Sequence, residues 1–151
     1  MKVVVQRSLN SKVTVDHKIT GQIEKGLVLL VGFHTDDTEE DINYLVPKIL
    51  NLRIFDDENG IMNQSILDIK GSILSISQFT LYANTKKGNR PSYKEAMKGK
   101  QAISLYENLN EKLKKVVPVE TGIFGADMKV EITNDGPVTI LLESRKNNDK
   151  K

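Results

Sequence analysis

The sequence predicts an α+β protein: mostly antiparallel β-sheet around a barrel-like core, with two helical excursions. Three observations point there. Short β-type apolar segments come in adjacent pairs bounded by turn residues. Two stretches, following residues 35 and 92, carry apolar residues at one-face helical spacing. Those helices interrupt pairs of strands and do not alternate with single ones, which argues against a doubly wound α/β sheet.

Val3, Val4 and Val5 open the first strand, and Val13, Val15, Ile19 and Ile23 read as a hairpin turning near Asp16, His17 and Lys18. GLVLLVG at residues 26–32 is a continuous apolar run, the pattern of a strand buried on both faces. A cap and a carboxylate-rich first turn at residues 35–41 then suit a helix N-terminus. Ile42, Leu45, Val46, Ile49 and Leu50 supply its apolar face, with Pro47 expected to disturb it. The acidic cluster Asp36, Asp37, Glu39, Glu40 and Asp41 reads as a solvated helix start.

LRIF at residues 52–55 is a short strand ended by DDENG, and residues 72–81 form another of mixed apolar and hydroxyl character. Helical signals resume at Ser92 and are interrupted at Gly99. Ala102, Leu105, Tyr106, Leu109 and Leu113 line the longer helix, which Pro118 ends. A β-rich region, residues 119–142, follows. It contains NDGPVT at residues 134–139. Asp-Gly between two strands is a hairpin signal, but a proline directly after it removes an N–H where the return strand should pair.

At 151 residues the chain is expected to hold one domain, residues 1–144, followed by a polar tail, residues 145–151. Hydrophobic content of 38%, charged content of 28% and a net charge of +2 suit a soluble globular protein and do not by themselves announce a nucleic-acid binder. Cysteine is absent, which removes disulfides, thiolate nucleophiles and cysteine metal sites from consideration. The N-terminal apolar run of three residues falls far short of a signal-peptide core, and no apolar run approaches the ~20 residues of a membrane span, so a cytoplasmic protein without a membrane partner is expected. Two histidines, His17 and His34, lack the spacing of a zinc site, and no phosphate-binding or dinucleotide motif is present.

Three stretches carry candidate chemistry. In SQFTL at residues 77–81, Gln78 and Thr80 alternate with Phe79 and so share one face of a strand. Between Lys86 and Lys100 six basic side chains stand against Glu95 alone, fitting either a solvated loop or a phosphate-binding patch. In TGIFGADM at residues 121–128, Phe124 either stacks on a base or belongs to the core.

These stretches together resemble the signature blocks of D-aminoacyl-tRNA deacylases. The blocks are SQFTLY at residues 77–82, KGNRPS at 87–92, ETGIFGADM at 120–128 and NDGPVT at 134–139, with VVQRS, KGLVLLVG and LRIFDDENGIMN before them. They run in order over nearly the whole chain. The resemblance implies hydrolysis of the ester between a D-amino acid, or mischarged glycine, and the terminal adenosine of tRNA. It also implies a homodimer with its active site at the subunit interface and no metal or organic cofactor. Gly136 and Pro137 would form a cis pair that enters the partner's pocket and presents carbonyls to the substrate ammonium.

A fixed carbonyl pair beside a wall where an L side chain projects would reject L-aminoacyl-tRNA and admit glycine. The Phe79 amide is the candidate oxyanion donor, with Gln78 and Thr80 positioning the ester. Thr80 as nucleophile is the alternative to assistance by the ribose 2′-hydroxyl. Ser77 would contact substrate, and Phe124 and Met128 would hold the adenine. A non-catalytic RNA-binding module is the competing reading.

Overall fold

A computed structural model describes residues 1–144; the tail, residues 145–151, lies outside the described residues. The chain begins with a long hairpin, β1 (Lys2–Val15) and β2 (Lys18–Gly32), followed by α1 (Glu39–Asn51). A two-stranded ribbon, β3 (Phe55–Asp56) and β4 (Met62–Gln64), and the one-turn α2 (Ile66–Ile69) come next. Then follow β5 (Ser72–Ser77), α3 (Gly99–Lys114), β6 (Val119–Thr121) and β7 (Lys129–Glu143).

The expected turn at Asp16 and His17 forms. Both residues adopt left-handed backbone, φ 48° and 66°, the mirror-image turn whose twist matches that of paired strands. What read as separate segments at residues 3–5 and at Val13 and Val15 are halves of β1, and those at Ile19 and Ile23 and at residues 26–32 are halves of β2.

The main sheet has the order β6-β5-β2-β1-β7. It is open: β6 pairs with β5, β7 with β1, and no pairing joins these two edges, so the barrel-like closure expected from the sequence is corrected. The sheet is also mixed. β1 pairs antiparallel with β2 and β7, but β2–β5 and β5–β6 are parallel. Each helical excursion is a crossover that brings the chain back to the starting end of the sheet.

The second half of β2, residues 26–32, is buried on both faces, as its apolar run predicts. Leu27, Leu29 and Val31 join Val3, Val5, Ile42, Leu45, Ile49, Leu109 and Leu113 under α1 and α3. Val28 packs on the other face with Val13, Ile23, Leu74 and Ile76, covered by half-buried Met128, Val130 and Ile132. Each fully buried Leu or Ile contributes about 1.5–3 kcal/mol relative to exposure.

Thr38 and Asp41 form a reciprocal cap on α1. The helix runs through Pro47 without a break. Pro47 and Asn43, whose carbonyl loses its usual partner, are both exposed, so the loss falls on the solvent side of the helix. Within the acidic cluster Asp37 departs from expectation: it is buried, its Oδ2 2.6 Å from the Met1 ammonium and accepting from the His34 amide at 2.7 Å. Among the described residues no helix is long and apolar enough to cross a membrane.

Candidate active site

The expected strand over residues 72–81 stops at Ser77. The Gln78 amide donates the last ladder bond, 2.7 Å to the Val31 carbonyl, and Phe79–Tyr82 then winds into a 3-10 turn closed by Leu81 N–H to Gln78 O and Ala83 N–H to Thr80 O. The turn packs directly on Gly32 at the end of β2, where an added Cβ would lie 2.9 Å from the Gln78 carbonyl oxygen. Tertiary contact therefore overrides the β propensity of Phe79, Thr80 and Leu81. Gln78 and Thr80 still meet, through the turn and not by strand alternation: Gln78 Nε2 donates to Thr80 Oγ1 at 2.5 Å. Phe79 opens the turn, and a first-turn amide has no carbonyl partner within its own helix.

Ser77, Gln78 and Phe79 line one side of a cavity of about 250 Å³, with Phe124 and Met128 among the residues around it. Phe124 belongs partly to the core and partly to the cavity wall. Half-buried, it packs at 5.7 Å and a 50° tilt on the Tyr106 ring, yet it also lines the cavity. Tyr106 is itself held by donating 2.6 Å to the Ser75 carbonyl. Burial pushes the Tyr106 phenol above its ordinary range, opposed in part by hydrogen bonds with Ser75 and Asn110. Met128 is seated over Gly122, where any Cβ would collide with its sulfur. Among the described residues lining the cavity none carries an ionisable side chain.

Gly136 and Pro137 lie elsewhere. No hairpin forms at NDGP. β7 is one strand that pairs with β1 on both sides of it: Asn134 opposes Ser8 and Thr139 opposes Gln6, leaving residues 135–138 bulged opposite Arg7 alone. Asn134 closes the base of the bulge, its Oδ1 accepting from the Val138 amide at 3.1 Å and its Nδ2 donating to Thr139 Oγ1 at 2.9 Å. The buried Arg7 braces its tip. Nε donates to the Asp135 carbonyl at 3.0 Å, while Nη1 donates to the Ile54 carbonyl at 2.9 Å and to Asp56 Oδ1 at 3.3 Å. The Gly136–Pro137 peptide is cis, and Gly136 has φ 127° with no room for a Cβ, which would lie 2.9 Å from Arg7 Nη2. Both residues are exposed and neither lines the cavity of its own chain.

The structure thus brings Ser77, Gln78, Phe79, Phe124 and Met128 to one cavity, bonds Thr80 to Gln78 beside it, and holds Gly136 and Pro137 apart on a braced bulge. Sequence reading missed Arg7 and Asn134. Arg7 left a signal, since it continues the inward parity of Val3 and Val5 and so places a guanidinium where an apolar residue is expected.

A largely apolar cavity with a few neutral polar groups is a small-ligand site whose hydrogen bonding falls to amides and hydroxyls. The family supplies the reaction. The chain belongs to the D-Tyr-tRNA(Tyr) deacylase family, whose model matches residues 4–143, and is a hydrolase that deacylates D-aminoacyl-tRNA. Among solved structures it is similar to one titled c-Myc DNA unwinding element binding protein, at 43% identity over 97% of this chain and 100% of that one, with a TM-score of 0.91. It shares its fold with a probable eukaryotic D-amino acid tRNA deacylase, at 17% identity, 94% and 98% coverage and a TM-score of 0.81.

Proposed function

We propose that residues 1–144 form a deacylase domain that works as a homodimer in the cytoplasm, releasing D-amino acids and mischarged glycine from tRNA while sparing L-aminoacyl-tRNA. The observation that carries this reading is the pairing of a cavity lined by no ionisable side chain among the described residues with a rigid, outward-facing backbone bulge. Neither feature completes a site alone. In the dimer, the Gly136 and Pro137 carbonyls of one protomer enter the partner's cavity and accept hydrogen bonds from the substrate α-ammonium. Backbone held at that place leaves no space for an L side chain. A D side chain turns outward, and glycine has none, so it is admitted.

Phe124 and Met128 hold the terminal adenine, and Ser77 contacts the substrate. Gln78 and Thr80 position the ester. Water adds to the ester carbonyl carbon, the C=O electron pair moves to oxygen, and the Phe79 amide donates to that oxyanion. Collapse breaks the bond to the ribose 3′-oxygen. The neighbouring 2′-hydroxyl passes the water proton to the leaving oxygen, so no side-chain base is required. The cavity lining supports this route over nucleophilic attack by Thr80, whose hydroxyl is taken up by Gln78 and has no base beside it.

A nucleic-acid-binding module is the second reading, favoured by the exposed Lys86, Lys87 and Arg90 and by the name of the 43%-identical relative, a DNA unwinding element binding protein. It gives no use to the cavity or to the Arg7-braced bulge. Subunit mixing tests the shared site. Gln78→Ala and Gly136→Ala proteins should each be nearly inactive, and mixing them after dissociation should restore about a quarter of wild-type activity, because half the dimers then carry one intact site of two. No recovery on mixing would place both groups in one protomer's site and overturn the reading.

A further inference from the structure

Hydrolysis as proposed uses the Phe79 amide and leaves its ring unexplained. That ring is 46% exposed although it also lines the cavity, so it stands at the rim. It meets Tyr93 edge to face, with centroids 5.2 Å apart and planes at 70°. Lys98 Nζ lies 5.7 Å from the Phe79 centroid and 5.9 Å from that of Tyr93. Lys86, Lys87, Arg90, Lys94 and Lys100, all exposed, surround this cluster in sequence, with Glu95 the one acidic residue among them.

We propose that Phe79, Tyr93 and Lys98 form a stacking platform for the unpaired nucleotides that precede the terminal adenosine of tRNA. The inference rests on the deacylase reading of the adjoining cavity. An aminoacyl-adenosine seated there must send its 5′-phosphate out past the rim, where the next base finds an exposed aromatic ring and its phosphate finds Lys98. Every base has a π-face, so such a platform tolerates any sequence, as an enzyme serving many tRNAs requires. Lysine suits a phosphate here as a mobile point charge, and its position near two rings keeps it close to the strand. The excess of basic groups favours a polyanionic strand over a peptide.

The test compares D-tyrosyl-tRNA with 3′-O-(D-tyrosyl)adenosine, which lacks every nucleotide the platform would touch. Tyr93→Leu should raise KM for the tRNA roughly tenfold and leave hydrolysis of the adenosine ester unchanged. Tyr93→Phe keeps the ring and should behave as wild type. Lys98→Gln should raise KM for the tRNA and lower the slope of log KM against log salt by about 0.7, the value for one phosphate of a single strand. Equal loss on both substrates would make Tyr93 a wall of the cavity, and an unchanged KM for tRNA would make the cluster an ordinary surface contact; either result overturns the platform. Failure of the wild-type protein on both substrates would instead overturn the deacylase reading, and the platform with it.

Discussion

Replacing Gly136 by alanine perturbs the bulge at its least tolerant position. The new methyl would lie 2.8 Å from Val138 Cγ2 and 2.9 Å from Arg7 Nη2, and φ 127° is a conformation that L residues rarely adopt. Backbone strain of that kind costs about 1–3 kcal/mol. Displacing Arg7 weakens charge-assisted hydrogen bonds to Asp135 and Ile54, each contributing about 1.5–3 kcal/mol. The bulge therefore refolds before the sheet does, since Val3, Val5 and the rest of the apolar core are untouched. If the proposed filter holds, re-aiming its carbonyls costs the substrate ammonium both acceptors, and kcat/KM for D-Tyr-tRNA should fall by about a hundredfold or more, at about 1.4 kcal/mol per tenfold. The assay is single-turnover release of D-tyrosine beside a thermal melt. The melt should fall by only about 5–10 °C, from the roughly 2–4 °C per kcal/mol expected at this size. A variant that keeps its activity within threefold while its melting point drops would show the bulge to be structural only and would refute the reasoning.

Thr80→Ala should retain measurable activity, down about tenfold for one lost hydrogen bond, and yield no acyl-enzyme in mass spectrometry; an aminoacyl adduct on Thr80 in the wild type would reverse its role. D-Tyr-tRNA ending in 2′-deoxyadenosine should turn over poorly, and an unchanged rate there would remove the 2′-hydroxyl from the mechanism. Replacing Lys86, Lys87 and Arg90 with alanine should raise KM and flatten its salt dependence at similar kcat, whereas an unaltered KM at low salt would return the loop to solvent. Tyr106→Phe leaves the buried Ser75 carbonyl without its donor and should cost about 1–3 kcal/mol in urea melts at pH 7. Because the folded state raises the Tyr106 pKa above its ordinary 10.0, that residue's contribution is complete below pH 10 and declines above it. The stability gap between wild type and Tyr106→Phe should accordingly narrow above pH 10, and a constant gap would contradict the buried phenol.

Features written in neighbouring residues were legible in the sequence. Asp16 and His17 announce their turn, residues 35–41 a helix start, and the run at residues 26–32 its two buried faces. Features decided by distant contacts were not. Phe79, Thr80 and Leu81 are good strand formers, but Gly32 draws them into a turn. SILSIS, residues 72–77, mixes apolar and hydroxyl residues, yet as an inner strand between β2 and β6 it buries Ser75 completely. Both halves of β7 read correctly as strand, whereas their common partner β1 is known only from the register. The same divide runs through the site. The blocks carrying Gln78, Phe124 and Gly136 were visible locally, while the bracing of the bulge by Arg7 depends on residues about 50 and 130 positions away along the chain.

The most direct measurement is the ratio of kcat/KM for D-Tyr-tRNA to that for L-Tyr-tRNA, with glycyl-tRNA as a third substrate and the purified protein as enzyme. A backbone filter predicts a ratio of about a thousand or more, corresponding to roughly 4 kcal/mol of differential transition-state binding, with glycine hydrolysed alongside the D substrate. Comparable release of D- and L-tyrosine, or rejection of glycine, would contradict it.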